Sequence, residues 1–187
     1  MQPPSVSLPP LAYGAALAWG VDANRDLDPA PFLDHFVFED GAGVLGTTLN
    51  RLGDLHGVTG KQAMNGSPLF TDLVSGGLLG SMGEATAEGV ATVVEALDDA
   101  RAVLATARPG AEDGATVVRE LRQAARLARH GAYRIARAQG FPCPDDTRLR
   151  RDLEEAIAEQ RACWLLRSRP GGLGDSLARL ERTLADY

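Results

Sequence analysis

The C-terminal half of the chain contains three long stretches in which apolar residues recur at helical spacing. They run from about Glu84 to Ala107, from about Asp113 to Gln139, and from the Asp145-Asp146 pair to Arg169. Proline and glycine separate them, so each connection is short. Short turns between long amphipathic helices bring consecutive helices side by side in antiparallel order. The sequence therefore predicts a mainly α protein built on an antiparallel helical bundle.

Shorter helices and a loop region precede the bundle. Asp28 followed by Pro29 is typical of a helix start, and Asp40 is placed to cap a second helix. Residues 58–83 contain many glycines and read as a structured loop with one helical turn around Leu69–Val74. We expect a last helix to begin at Asp175 or Ser176.

The segment Leu11 to Trp19 is apolar on every side and ends abruptly in a polar loop. This pattern is typical of a strand buried in a parallel sheet, although a short buried helix fits nearly as well. Its short length and the abrupt polar boundary favour the strand. A lone strand leaves its backbone N–H and C=O groups without partners. A strand here would therefore need neighbours from outside this chain.

Composition and charge exclude several classes of protein. The chain has 187 residues with 19 basic and 25 acidic side chains, a net charge of −6, which argues against general nucleic-acid binding. The N-terminal apolar run is too short to span a membrane and is followed by no cleavage site typical of an exported protein. Cys143 and Cys163 belong to no metal or redox motif. We therefore expect a cytoplasmic protein with reduced thiols.

Several motifs have both a functional and a structural interpretation. Residues 41–46 spell GxGxxG at a helix start, but Glu39 and Asp40 stand where a diphosphate would approach, so we expect no dinucleotide cofactor. We expect the glycines to let two helices meet closely, and the Glu39-Asp40 pair to cap the helix. The histidines are isolated, which predicts no metal site. A stripe of arginines, Arg119 to Arg129, could contact phosphates, pair with acids on the next helix, or be solvated.

Trp19 stands at the boundary between the apolar segment and a polar loop containing Asp22 and Asn24. An aromatic ring beside polar side chains at the end of a strand suits the stacking of a sugar ring. A core tryptophan is an equally good interpretation of the residues alone. Trp19, Asp22 and Asn24 are our candidate substrate-binding residues.

Two stretches together resemble a known family. One is Tyr13–Trp19 (YGAALAW) with the helices that follow it, and the other is Cys163–Leu177, which contains the turn Arg169-Pro170-Gly171-Gly172-Leu173. Both are similar to the C-terminal part of bacterial glycoside hydrolase family 20 β-N-acetylhexosaminidases, of the type with an all-helical domain after the catalytic barrel. The resemblance covers most of the chain. It implies that residues 1–28 are the end of a (β/α)8 barrel, with Leu11–Trp19 as its last strand, and that 29–187 form the helical domain.

The resemblance also implies a chemistry. Family members are retaining enzymes in which the substrate's acetamido group is the nucleophile and an adjacent Asp-Glu pair on an earlier barrel strand orients it and transfers the proton. That pair has no counterpart here, so we expect the chain to be inactive alone. The implied partners are the upstream catalytic barrel, a carbohydrate ending in N-acetylhexosamine, and a second copy of the chain, because the helical domain often takes part in dimerisation.

Within the family, the tryptophan at the end of the last strand helps to wall the −1 sugar pocket, which is the role implied for Trp19. Many members continue Trp-Gly-Glu, whereas this chain reads Trp19-Gly20-Val21-Asp22, so the sugar-binding carboxylate is either shifted to Asp22 or absent. The competing hypothesis is a free-standing helical protein-interaction module without catalytic activity, in which residues 11–19 fold as a helix on the bundle.

Overall fold

Helices make up most of the chain, which confirms the predicted mainly α bundle. The computed structural model describes residues 3–75 and 81–187. Its α-helices are α1 (Leu8–Trp19), α2 (Val21–Asn24), α3 (Ala30–Phe32), α4 (Leu45–Asp54), α5 (Pro68–Ser75), α6 (Ala87–Leu104), α7 (Gly114–Gln139), α8 (Asp146–Arg167) and α9 (Leu173–Thr183).

Shorter elements complete the architecture. A π-helical turn at Leu33–Val37 follows α3, and 3-10 turns lie at Pro4–Ser7, Leu55–Gly57 and Leu184–Asp186. Two short strands, β1 (Gln62–Ala63) and β2 (Ser81–Met82), pair antiparallel. Among the described residues, no helix is both long enough and apolar enough to cross a membrane.

Helix α7 is the centre of the fold. It packs against α5, α6 and α8, and its buried side chains are spread over several faces. Small residues at Ala125, Gly131, Ala132 and Ala136 allow this close packing. The closest approach is at Gly131, where an added Cβ would overlap the carbonyl oxygen of Leu69 on α5.

Three apolar clusters form the core. The first joins α6 and α7 around Val93, Leu97 and Ile135. The second includes Phe38, Leu33, Leu45, Leu49, Leu104 and Leu121 and holds the segment 33–49 against α6 and α7. The third joins α5, α8 and α9 through Leu73, Leu153 and Leu180. The N-terminal third of the described chain is thus attached to the bundle through the second cluster.

The predicted helix boundaries are confirmed where a side chain or a glycine caps the helix. Asp28 accepts a hydrogen bond from Ala30 N (2.9 Å), and Asp145 accepts one from Arg148 N (2.9 Å) at the start of α8. Gly140 ends α7 in the left-handed conformation. Helix α9 begins at Leu173, slightly before the predicted Asp175 or Ser176, because Gly172 adopts the left-handed conformation (φ 78°) that redirects the chain.

Asp40 binds N–H groups at the start of α4 and also ties two loops together, although α4 begins at Leu45 and its N-cap residue is Val44 rather than the predicted Asp40. Its carboxylate accepts backbone hydrogen bonds from Ala42 (3.1 Å), Val44 (2.9 Å) and Leu45 (3.2 Å) and, across the chain, from Arg108 (2.7 Å). Burial raises the pKa of Asp40, but these four N–H donors outweigh it and leave the pKa below its ordinary value. The N–H groups of the GxGxxG segment that could bind a phosphate are therefore occupied by a carboxylate of the chain itself.

The predicted strand at Leu11–Trp19 is wrong: these residues belong to α1. Alanine has the highest helix propensity, and a helix satisfies its backbone hydrogen bonds within the segment, whereas a strand here would need neighbours. Pro9 and Pro10 fall in the first turn, where proline is tolerated. The division of the chain at residue 28 stays a prediction. In the predicted loop 58–83, the helical turn is α5, and Gly76, Gly77 and Gly80 lie outside the described residues.

We predict that Gly131→Ala lowers the free energy of unfolding by about 1–3 kcal/mol, because the new methyl group must push α5 away from α7. Gly53→Ala is the matched control. Gly53 is a helical glycine of α4 with no atom within 4 Å of an added Cβ, so the substitution should be neutral or stabilise by up to about 1 kcal/mol. Urea unfolding of both variants measures the difference, and equal stabilities would contradict the close α5–α7 contact.

Candidate functional site

The three predicted substrate-binding residues lie together at the C-terminal end of α1. The side chain of Trp19 is 92% exposed, and Asp22 is exposed at the start of α2. Asn24 is engaged, because its Nδ2 donates to the carbonyl oxygens of Ala16 and Gly20, both at 2.9 Å. Asn24 therefore closes the end of α1 and positions the loop. Trp19 and Asp22 are exposed to solvent, and the Asp22 carboxylate lies 3.6 Å from the guanidinium of Arg25.

Exposed large apolar side chains are concentrated in residues 11–36. We call the following six the N-terminal apolar surface: Leu11, Trp19, Val21, Leu27, Phe32 and Phe36. Phe36 is 68% exposed, and its ring lies 5.3 Å from that of Phe32 and 4.5 Å from that of His35, measured between centroids. Single exposed apolar residues are ordinary, but their density within one short segment makes this segment a candidate interaction site.

Helix α1 contributes one whole face to this surface. Leu11, Gly14, Ala15, Ala18 and Trp19 are exposed and recur at helical spacing, so they form one stripe. The opposite side of α1 is docked on the bundle, where Leu8 and Ala12 pack against the second apolar cluster. The exposed stripe is thus held in a defined place and carries no charge.

A second candidate site is a cavity of about 540 Å³ inside the bundle. It lies between α4, α5, α6, α7 and α8, and residues Pro3–Val6 contribute part of its wall. Cavities of roughly 300–1,000 Å³ are typical of sites for small molecules. Its apolar lining includes Leu49, Leu69, Leu73 and Leu97, and its polar lining includes the buried side chains Glu120, Gln123, Gln160 and Cys163.

Two of these polar groups, Glu120 and Cys163, have defined partners. Glu120 accepts hydrogen bonds from Ser5 Oγ (3.0 Å) and Arg167 Nε (2.8 Å), so its charge is compensated. Burial, with the nearby carboxylate of Glu159, raises the pKa of the Cys163 thiol to about 11. Cys163 is therefore a neutral thiol at physiological pH and a poor nucleophile.

The arginine stripe of α7 pairs with acids on the neighbouring helices. Arg119 pairs with Glu159, and Arg126 donates to Asp152 (3.0 Å) and Glu155 (2.7 Å) on α8. Arg129 joins Asp152 on α8 to Asp98 on α6. Of the three interpretations of the stripe, the structure selects ion pairing for these three arginines, which leaves them less available to phosphates.

Asp152 is the centre of this network. The Nδ1–H of His130 donates to Asp152 Oδ2 (2.9 Å), and His130 Nε2 lies 2.9 Å from the hydroxyl of Tyr187. Burial raises the pKa of Asp152, but the hydrogen bond from His130 and the charge of Arg126 outweigh it and lower the pKa to about 2. The network joins α7, α8 and the C-terminal residue.

The polar network around Asp152 joins helices and has no arrangement of ligands for a metal ion among the described residues. His130 is fully buried, and within residues 3–75 and 81–187 no group of three or more His, Cys, Asp or Glu side chains is arranged to hold a metal ion. Part of this network has a signal in the sequence, because arginines at three- and four-residue spacing on α7 are followed by acids at similar spacing on α8. The cavity gives no such signal, because its lining comes from five helices and the N-terminal segment.

Comparison with protein-family models, with curated proteins and with solved structures finds no match to this chain.

Lowering the pH tests the contribution of Asp152. Because its pKa is depressed from 3.8 to about 2, the stability that it contributes is present above pH 4 and is lost as the pH falls towards 2. We predict that Asp152→Asn lowers the free energy of unfolding at pH 7 by about 1–2 kcal/mol, allowing for partial exposure of the side chain, and flattens its decline between about pH 4 and 2.

Asp99→Asn is the control for this prediction. Asp99 is exposed on α6, and neutralising it should change stability at pH 7 by no more than about 0.5 kcal/mol. Chemical denaturation at a series of pH values supplies both curves. An Asp152→Asn curve parallel to that of the unmodified protein would show that Asp152 does not couple protonation to folding.

Proposed function

We propose that this chain is the C-terminal helical region of a glycosidase that resembles the retaining exo-β-N-acetylhexosaminidases of glycoside hydrolase family 20. In this proposal, the N-terminal apolar surface packs against the catalytic barrel of the same enzyme, and the bundle acts as an accessory region. The observation that carries the proposal is the concentration of exposed apolar side chains in residues 11–36, on both sides of the division at residue 28 that the resemblance implies. The helical conformation of residues 11–19 is the feature that the competing hypothesis expects.

The size of this surface is appropriate for a stable interface. A buried aromatic side chain removes roughly 150–250 Å² from water. Given their exposures of 92%, 47% and 68%, Trp19, Phe32 and Phe36 together offer on the order of 400 Å². A standard interface buries about 800 Å² per partner, so these three rings alone supply about half of one.

The chemistry also requires a partner. No adjacent Asp-Glu pair occurs in the sequence, and the carboxylate of Asp40, next to Glu39, is occupied by four backbone N–H groups. The acid and base of the reaction would therefore come from the barrel. In this arrangement Trp19 packs against the barrel, and a contact of Trp19 or Asp22 with the sugar would require the C-terminal end of α1 to lie at the mouth of the barrel, because α1 is a helix and not the last barrel strand.

The exposed stripe of α1 favours a second candidate, a free-standing helical interaction module that forms a homodimer. Gly14, Ala15 and Ala18 have small side chains and no charge, which allows the backbones of two helices to approach closely. A twofold axis through this stripe would bury the same residues on both copies, as in an isologous dimer. This candidate uses the same surface but needs no barrel.

Two experiments separate the candidates. The DNA that precedes the coding region of this chain should encode, in frame, a barrel containing an Asp-Glu dipeptide. The polypeptide comprising barrel and chain should hydrolyse 4-nitrophenyl N-acetyl-β-glucosaminide, and the chain alone should not. Hydrolysis by the chain alone would contradict the assignment of the acid and base to the barrel.

We predict that the double variant Trp19→Ser, Phe36→Ser keeps the stability of the isolated chain within about 0.5 kcal/mol, because both side chains are exposed. It should weaken association with a separately produced barrel at least about tenfold, since each ring is lost from the interface. Leu166→Ser, at a residue 48% exposed on α8, is the control and should leave association unchanged.

Analytical ultracentrifugation of the isolated chain tests the second candidate, the homodimer. A dimer that the double variant dissociates and Leu166→Ser does not would support the free-standing module. A stable monomer with no affinity for the barrel would contradict both candidates.

A further inference from the structure

A groove of about 670 Å³ between α6, α7 and α8 has a wall rich in arginine. Its lining includes none of the six residues of the N-terminal apolar surface, so it is separate from the surface used in the proposed function. We call it the arginine groove, and its charged lining residues are Arg101 of α6, Arg119, Arg122 and Arg126 of α7, and Glu155 and Glu159 of α8.

The two glutamates of the groove are occupied by two of its arginines. Arg119 donates from both Nε and Nη2 to Glu159, the second bond at 2.9 Å, and Arg126 Nη2 donates to Glu155 at 2.7 Å. Each of these pairs is neutral as a unit. Four arginines and two glutamates therefore give the wall a formal charge of +2, and Arg122 and Arg101 supply this surplus.

Arg122 is the member of the arginine stripe that ion pairing does not explain. It is exposed, and within residues 3–75 and 81–187 no hydrogen bond or ion pair involves its side chain. Arg119 and Arg126 lie three residues before it and four after it, so the three side chains share one face of α7. A guanidinium without an acid in this position has its full set of N–H donors available to an oxyanion.

Arg101 brings a second positive charge to the groove from α6. Its Nη1 lies 3.5 Å from Asp98 Oδ1, whereas Arg129 makes a closer contact with the same oxygen atom. Burial lowers the pKa of Arg101, and the charges of Arg129 and Arg126 lower it further, which indicates a positive potential at this guanidinium. Its side chain is 30% exposed, so an anion can approach it without unfolding of the bundle.

The volume and the remaining lining favour a small organic anion. The groove is larger than a bare oxyanion requires, and Ala115, Val118 and Ala158 supply an apolar part of its wall for an attached group. A long polyanion is disfavoured, because the chain has a net charge of −6 and Glu155 is 61% exposed beside the groove. Two negative charges match the surplus of the wall.

We propose that the arginine groove binds a small organic dianion, a phosphate monoester or a dicarboxylate, whose oxygen atoms accept hydrogen bonds from Arg122 and Arg101. The paired arginines, Arg119 and Arg126, keep their glutamates and form the sides of the site. The site does not depend on whether the N-terminal apolar surface packs against a barrel or against a second copy of the chain.

Three probes that share one aromatic ring test the requirement for two charges. Phenyl phosphate is a dianion at about pH 7.5, phthalate is a dicarboxylate dianion, and benzenesulfonate is a monoanion. Isothermal titration at constant ionic strength removes differences in screening. We expect at least one dianion to bind saturably, with a Kd on the order of 1 mM, and at least about fivefold more tightly than benzenesulfonate. The tighter of the two dianions identifies the chemical source of the charge.

Arg122→Gln should weaken binding of the dianion at least about fivefold, because it removes one charge and its donors. The side chain is exposed and unpaired within the described chain, so the variant should fold normally, which circular dichroism verifies. Arg151→Gln is the matched control. Arg151 is exposed on α8 and absent from the lining of the groove, so its loss changes the net charge equally and should leave binding unchanged.

Glu155→Gln gives a result in the opposite direction. It raises the formal charge of the wall to +3 and releases Arg126 from one partner, so binding of the dianion should tighten about two- to threefold. A purely structural role of these residues predicts no such gain.

The proposal is overturned by any of four results. These are the absence of saturable binding by both dianions, equal affinity for dianion and monoanion, an affinity that Arg122→Gln leaves unchanged or that Arg151→Gln weakens as much, and a loss of affinity in Glu155→Gln. Binding that Arg122→Gln weakens and Glu155→Gln strengthens supports the site.

Discussion

The burial of α7 is the constraint on which the rest of the structure depends. This helix is surrounded by α5, α6 and α8, yet it contains many arginines, and a buried charge without a partner is costly. Asp152 removes this cost for Arg126 and Arg129 and at the same time binds His130. The helix order around α7 is therefore determined by charge pairing as well as by the close approach at Gly131.

The N-terminal segment, in contrast to the buried helix α7, exposes large apolar side chains. It is attached to the bundle by Phe38, Leu33 and the cap at Asp40, but beyond these anchors it presents apolar side chains to solvent. A surface of this kind lowers its free energy when another protein covers it. A catalytic barrel and a second copy of the chain are the two partners that the resemblance and the stripe of α1 suggest, and Trp19 belongs to the exposed surface proposed to contact either one.

Two sites of different kinds thus occur in one small bundle. The N-terminal apolar surface is exposed, rich in aromatic rings and suited to a macromolecule. The cavity lies between the helices and opens to solvent near His56 and Ser168. The cavity lining includes none of the six residues of the N-terminal apolar surface.

Local patterns in the sequence determined the bundle, the caps at Asp28, Asp40 and Asp145, and the glycine at Gly140 that ends α7, because these depend on hydrogen bonds between near neighbours in the chain. The prediction of a strand at Leu11–Trp19 was wrong because an apolar run without periodicity fits either a helix or a strand. The choice between the two depends on which elements pack against the run. Tertiary structure alone decided the partners of the arginine stripe and created the cavity. Both result from residues far apart in sequence that meet only when five helices and the N-terminal segment pack together.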